Sequence, residues 1–279
     1  MLHFNFNGKI YREGTPVIGA DNRGVRYGDG LFETIKMISG NLIAGDEHFA
    51  RLWYGMQVLQ FDIPKHFTPE VLKKEITAIT LKNNHHQAAR IRLSIFRGDG
   101  GLYDAKNHLP NYLIQSWPLA EDNGIWNSNG LVLGIYTAAK KSCDILSNLK
   151  HNNYLPYVLA ALEAKKQKWN DAVLLNSNGN ICDTTIANIF VVKNNIIYTP
   201  PLTDGCVAGI VRKQLIPVIA ANGFEIMQQS LSEADLLQAD EVFLTNSMYN
   251  IRWVKQFGDA MFGNLLTQKI YAVAHSTFQ

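Results

Sequence analysis

Apolar and polar residues alternate through LHFNFNGKIY, residues 2–11, around Asn7-Gly8, a pair favoured at the tight turn of a β-hairpin. The spacing becomes helical over 46–61, where Phe49, Leu52, Trp53, Met56 and Leu59 fall on one face, with Asp46 as the expected N-cap and Glu47 in the first turn. A second helix is expected over 69–83, with Pro69 in its first turn. Period two returns in ARIRLSIFRG, 89–98, whose Ile91, Leu93 and Ile95 face one side while Arg90, Arg92 and Ser94 face the other. NYLIQSWPL, 111–119, reads as the next strand.

A polar stretch rich in Gly and Asn, AEDNGIWNSNG, then interrupts the pattern and marks a linker over 120–129. Beyond it the spacing predicts a strand over 131–138 and a helix over 155–169 with Pro156 in its first turn. Two hairpins follow, over 171–181 and 187–200, turning at NSNGN and KNN. A helix over 208–223 contains Pro217, expected to kink it, and ends on Gly223; a strand over 240–246 and a last helix over 264–278 complete the reading. The order of elements implies an α+β protein of two domains, a small N-terminal domain over 1–119 and a larger one over 130–279.

Charge and cysteine content narrow the function classes. A formal net charge of +2, with basic residues scattered along the chain, gives no electrostatic case for nucleic acid or an anionic membrane. Three cysteines without C-x-x-C spacing suggest neither a disulfide framework nor a metal site, and fit a reducing cytoplasm. The first residues lack a basic region followed by an apolar run, and no stretch approaches a membrane span, so neither export nor insertion is expected. Small molecules or a second copy of the chain are the expected partners.

One lysine stands out. In SNLKHNNYLPYVLAALEAKK, 147–166, Lys150 sits among Asn and Leu just before an apolar helix. Desolvating an ammonium is costly unless it is paired or loses its proton, and a neutral amine can form a Schiff base with an aldehyde. Other segments supply what an anion would need. Arg51 lies in GDEHFARL, and Gly209, Ile210 and Val211 open a helix in CVAGIVRKQL, where unpaired backbone N–H groups face outward. Thr245, Asn246 and Ser247 end the strand DEVFLTNS, while GNICDTTIANIF carries Asp183 and Asn188. Together these are the parts needed to hold a phosphorylated aldehyde.

With RYGDGLFETIK, 26–36, these segments resemble the fold-type IV pyridoxal-phosphate enzymes: branched-chain aminotransferases, D-amino acid aminotransferases and aminodeoxychorismate lyases. The resemblance covers nearly the whole chain, with five motifs in the family's order. It implies a D-amino acid aminotransferase-like fold with pyridoxal 5′-phosphate held by the C-terminal domain, and a homodimer. It makes Lys150 the lysine that bonds the cofactor and moves the Cα proton, and Arg51, in His48-x-x-Arg51-Leu52, the phosphate arginine. Ile210 and Val211 would give backbone N–H groups to the phosphate and Ser247 a hydroxyl, beside Gly209, Asn188, Thr245 and Asn246. Asp183 stands where the family places a glutamate against the pyridine nitrogen, and is shorter by one methylene. Tyr154 matches, one residue early, the tyrosine that branched-chain enzymes aim at the phenolic oxygen.

Within the family, Tyr27, Glu33 and Thr34 are expected on the substrate side, and the run YGDGLFET is closer to lyases and D-amino acid aminotransferases than to branched-chain enzymes. The loop RGDGGLYD, 97–104, has Leu102 where lyases carry a second arginine, which weakens the case for a dianionic substrate. Arg92 and Arg97 remain as candidates for a substrate carboxylate. An aminotransferase acting between an amino acid and a 2-oxo acid is the first reading, and a lyase releasing pyruvate the second. A silent cofactor-binding relative is disfavoured by the presence of Lys150.

Overall fold

The computed structural model describes residues 2–120 and 123–274, among which two compact units form. The first comprises Met1–Asn123 together with Leu149–Asn153, and the second Gly124–Asn148 with Tyr154–Gln279. A second domain running unbroken over 130–279 was expected; instead the segment bearing Lys150 belongs to the first unit. Residues 121 and 122 of the expected linker, and 275–278 of the expected last helix, lie outside the described residues.

In the first unit the opening hairpin forms as β1 (His3–Phe6) and β2 (Lys9–Arg12), with positive φ at Asn7 and Gly8. A short helix α1 (Arg23–Tyr27), capped by the Asn22 side chain, precedes β3 (Gly30–Ile38) and β4 (Asn41–Leu42). Helices α2 (Gly45–Val58) and α3 (Pro69–Lys82) come next, then β5 (Ala88–Arg97) and β6 (Pro110–Pro118). The six strands make one sheet in the order β2-β1-β6-β5-β3-β4, antiparallel throughout. The helical stripe of Phe49, Leu52 and Met56 packs with Leu31, Ile35 and Met37 of β3 and Ile91, Leu93 and Ile95 of β5. Asp46 does not cap α2: the N-cap is Ala44, without a side-chain hydrogen bond, and Asp46 pairs with Lys73 at 2.8 Å.

The second unit begins with β7 (Leu131–Lys141), three residues longer than its pattern predicts. Helix α4 (Leu155–Gln167) leads to β8 (Asp171–Asn176), β9 (Ile181–Thr184), β10 (Asn188–Lys193) and β11 (Ile196–Thr199). Helix α5 (Ile210–Ala221), continuous across Pro217, is followed by β12 (Ile226–Gln228) and α6 (Glu233–Leu237). Strands β13 (Glu241–Asn246), β14 (Asn250–Phe257) and β15 (Ala260–Met261) and helix α7 (Leu265–Ala274) close the described chain. The sheet runs β12-β11-β10-β13-β14-β7-β8-β9, with β15 on β14. Phe190 and Phe243 stack at its centre beneath Val211, Leu215 and Ile219 of α5. Among the described residues no helix is long and apolar enough to cross a membrane.

Candidate active site

Lys150 is positioned by backbone pairing to β3. The Phe32 N–H donates to the Lys150 carbonyl (2.8 Å), the Asn152 N–H donates to the Gly30 carbonyl (2.9 Å), and Leu31 bridges to His151. Leu149 is buried in the core with Leu31 and Leu52, and Lys150, the next residue, lays its ammonium over the Phe32 ring, 4.6 Å from the centroid. The side chain is half-buried rather than enclosed. On the same sheet face the Arg92 guanidinium lies 3.9 Å from the Phe32 centroid and donates to Ser94 Oγ at 3.3 Å, and Thr34 is its register partner. Lys36 shares this face by strand alternation; it is buried, and desolvation pulls its ammonium down to about 8.

Glu33 points to the opposite face of β3. It was expected beside the substrate; instead its carboxylate is buried and spanned by Arg51, which donates through Nε to Oε1 (2.8 Å) and through Nη2 to Oε2 (2.5 Å). His48 Nδ1 lies 2.7 Å from Oε2. Burial opposes ionisation, but the charges and hydrogen bonds of Arg51 and His48 outweigh it and hold the carboxylate down to about 2. Glu33 therefore orients Arg51, and the His-x-x-Arg spacing places both partners on one face of α2.

Arg97 is likewise committed. It pairs with Asp29 at 3.0 Å, donates to the Gln60 carbonyl at 3.0 Å and to that of Leu59, lies 3.1 Å from His108 Nδ1, and stacks on Phe61. Asp29 also holds Arg23, whose other donors reach the carbonyls of Leu102 and Tyr103. Arg23 thus braces the 97–104 loop, and Arg97's expected role on a substrate carboxylate gives way to its pairing with Asp29 and the Leu59 and Gln60 carbonyls. Leu102 is exposed in this loop. Tyr27, at the end of α1, is partly exposed and lies under the Arg23 guanidinium.

The second unit gathers most of the other candidates. Asp183 on β9 is buried, and its Oδ2 accepts from Tyr157 OH (3.0 Å), the Val207 N–H (3.1 Å) and Lys141 Nζ (3.2 Å), while Oδ1 has no hydrogen-bond partner. Lys141 also donates to the Tyr157 hydroxyl. Burial, then the charge of Asp183, pushes the Tyr157 phenol well above its ordinary range, so it remains a donor. Asn188 donates to the Val207 carbonyl at 2.9 Å, fixing the segment that enters α5.

Gly209 caps α5 without a side-chain hydrogen bond, leaving first-turn N–H groups, those of Ile210 and Val211 among them, without intrahelical acceptors. A Cβ at Gly209 would stand 1.9 Å from Asn188 Oδ1, so any larger residue has to displace the buried Asn188 side chain. Thr245 pairs in register with Asn188, and its buried Oγ1 has no hydrogen-bond partner. Asn246 Oδ1 accepts from the Met248 and Tyr249 N–H groups and shapes the turn that contains Ser247. Tyr154 stacks on Tyr157 with centroids 4.1 Å apart, a packing contact that also backs the Asp183 cluster.

Lys141, Tyr157 and Val207 are absent from the sequence reading. The only signal for Lys141 was the pair of lysines just past the expected end of β7; the strand continues through an irregularity that sets Lys141 opposite Asn176.

Residues 30–257 match the family model described as amino-transferase class IV. An aminodeoxychorismate lyase of Vibrio harveyi is 32% identical over 232 residues, 82% of this chain and 83% of that protein. A putative branched-chain-amino-acid aminotransferase of Methanocaldococcus jannaschii is 32% identical over 248 residues, 88% of this chain and 84% of its own. In fold the chain matches a branched-chain aminotransferase of Thermoproteus uzoniensis, solved with norvaline, with a TM-score of 0.88 over 99% of this chain and 95% of the other, at 21% identity. The protein belongs to the class IV aminotransferase family, with the α+β architecture of fold-type IV pyridoxal-phosphate enzymes expected from its motifs. That family holds both aminotransferases and lyases among its relatives.

Proposed function

We propose that this protein is a pyridoxal 5′-phosphate-dependent aminotransferase moving an amino group between an amino acid and a 2-oxo acid. The observation that carries the reading is Asp183 Oδ1, a buried carboxylate oxygen with no donor, at the position where the family sets an acid against the cofactor's ring nitrogen. A branched-chain aminotransferase of the same fold was solved with N-(5′-phosphopyridoxyl)-L-glutamate, which supports the choice of cofactor. When bound, the cofactor supplies an electron sink that stabilises negative charge developing at Cα.

The chain's own residues divide the remaining work. Lys150 would hold the cofactor's aldehyde carbon and would carry the proton to and from the substrate Cα. Arg51, its orientation fixed by Glu33, pairs with phosphate, and the Ile210 and Val211 N–H groups with the Ser247 and Thr245 hydroxyls add neutral donors. Asp183, through its open Oδ1, would accept from a protonated ring nitrogen. Arg92, which shares the Phe32 ring with Lys150, takes a substrate carboxylate, Tyr27 and Thr34 flank the substrate, and Tyr154 lies toward the cofactor. With Arg97 internally paired and Leu102 in the neighbouring loop, that loop offers no second guanidinium for a dianionic substrate.

The lyase reading keeps one specific support, the 32% identity to an aminodeoxychorismate lyase. The purified enzyme should therefore be incubated with panels of L- and D-amino acids plus 2-oxoglutarate or pyruvate, and separately with aminodeoxychorismate alone. Amino transfer that requires an acceptor supports the proposal. Pyruvate released from aminodeoxychorismate without an acceptor, and no transfer with any amino acid, would replace it with the lyase.

A further inference from the structure

We infer that Lys141 is a positioning residue for the cofactor's ring nitrogen: its ammonium neutralises the far oxygen of Asp183, so the shared proton stays on the ring rather than on the carboxylate. The inference rests on the cofactor assignment above and concerns a residue that contributes no bond to the cofactor.

Lys141, Tyr157 and Asp183 are 7%, 5% and 2% exposed, so neither charge has water to solvate it. A buried carboxylate persists as an ion only where charge or several hydrogen bonds offset desolvation. Here every donor falls on one oxygen. Oδ2 takes the Lys141 ammonium, the Tyr157 hydroxyl and the Val207 N–H, while Oδ1 takes none. The cluster pins the side chain at one end and leaves a single acceptor open, which is what a short aspartate needs to meet a ring nitrogen in one orientation.

Charge then decides where the proton resides. A cation 3.2 Å from Oδ2 favours negative charge on the carboxylate, which leaves Oδ1 an acceptor. A ring nitrogen paired with Oδ1 would feel that cation less. The balance moves toward carboxylate and pyridinium, the form that draws electrons from Cα most strongly. Tyr157 conveys the same effect, because the hydroxyl that receives Lys141's proton donor gives its own to Oδ2.

The test uses holoenzyme carrying cofactor labelled with 15N at the ring nitrogen, comparing the unmodified protein with Lys141→Gln and Lys141→Arg. Glutamine retains a donor without the charge, and arginine retains the charge. The ring nitrogen of the unmodified protein and of Lys141→Arg should resonate as protonated pyridinium, whereas Lys141→Gln should move toward neutral pyridine. Its cofactor dissociation constant should rise about tenfold, because the hydrogen bond between Asp183 and the ring would change from charge-assisted to neutral. A 15N resonance unchanged in Lys141→Gln overturns the inference, even if affinity falls, because a purely structural lysine would alter binding without moving that proton. An equal shift in Lys141→Arg also overturns it, since charge would then not be the cause. If the unmodified protein binds no cofactor, the assignment of function fails first and this inference falls with it.

Discussion

Replacing Glu33 by Gln removes one charge from a buried triad and leaves the geometry of β3 and α2 otherwise intact. The wild-type carboxylate accepts from Arg51 twice and lies 2.7 Å from His48 Nδ1, whereas an amide presents one oxygen and turns an N–H donor toward one of these partners. Held at about 2 in the folded protein against an ordinary 4.5, the carboxylate contributes about 3 kcal/mol to stability at neutral pH. Between pH 4.5 and 2 the unfolded chain takes up the proton before the folded one does. The contribution is therefore complete above the unfolded value, shrinks to about 1–2 kcal/mol near pH 3, and is gone below the folded value. Urea unfolding of the cofactor-free protein, followed by tryptophan fluorescence at pH 7 and pH 3, reads this directly. Glu33→Gln should lose about 3 kcal/mol at pH 7 and distinctly less at pH 3. A loss under about 1 kcal/mol at pH 7, or one equal at both pH values, would refute the view that Glu33 is a buried anion anchoring Arg51.

Arg97→Met should destabilise the fold by about 3 kcal/mol in the same assay, because it strips a buried pair from Asp29 and donors from the Leu59 and Gln60 carbonyls. If Arg97 contacted substrate instead, KM would rise with stability unchanged. Gly209→Ala should raise the cofactor dissociation constant at least about tenfold, since the new methyl collides with Asn188 Oδ1 and displaces the start of α5; unaltered affinity would contradict that placement. Native-state alkylation at pH 8 should modify exposed Cys143 alone, because Cys182 and Cys206 are buried and burial pushes the Cys206 thiol up to about 11. Equally rapid labelling of all three would show that the second unit opens readily. Light scattering should give twice the chain mass of 31.3 kDa if the family's dimer forms, and a monomer would remove the partner from the account.

The legible parts of the fold are those with one wet face. The hairpin at Asn7-Gly8, the stripe of α2 and the alternation of β5 each leave a periodic trace, because solvent permits polar residues on one side only. Strand β3 left none: seven of its nine residues are buried and Thr34 is half-buried, so Glu33 and Lys36 interrupt an apolar run without a period. For the same reason the substrate-side expectation fails at Glu33 alone, since alternation within β3 sends Phe32 and Thr34 to one face and Glu33 to the other. The motifs of the class IV family were legible as short runs in order. Lys141 was not, since its partner Asp183 lies 42 residues away and only the pairing of β7, β8 and β9 unites them. The extent of Lys150's unit was hidden too, because a five-residue excursion, Leu149–Asn153, is too short to carry a pattern of its own.

The most direct test of the account is to reduce the purified protein with borohydride after incubation with pyridoxal 5′-phosphate and map the modified residue by mass spectrometry. The account predicts a visible absorbance band that disappears on reduction, with the added mass on Lys150 alone. Label on Lys36, Lys141 or any other lysine, or none at saturating cofactor, would contradict it.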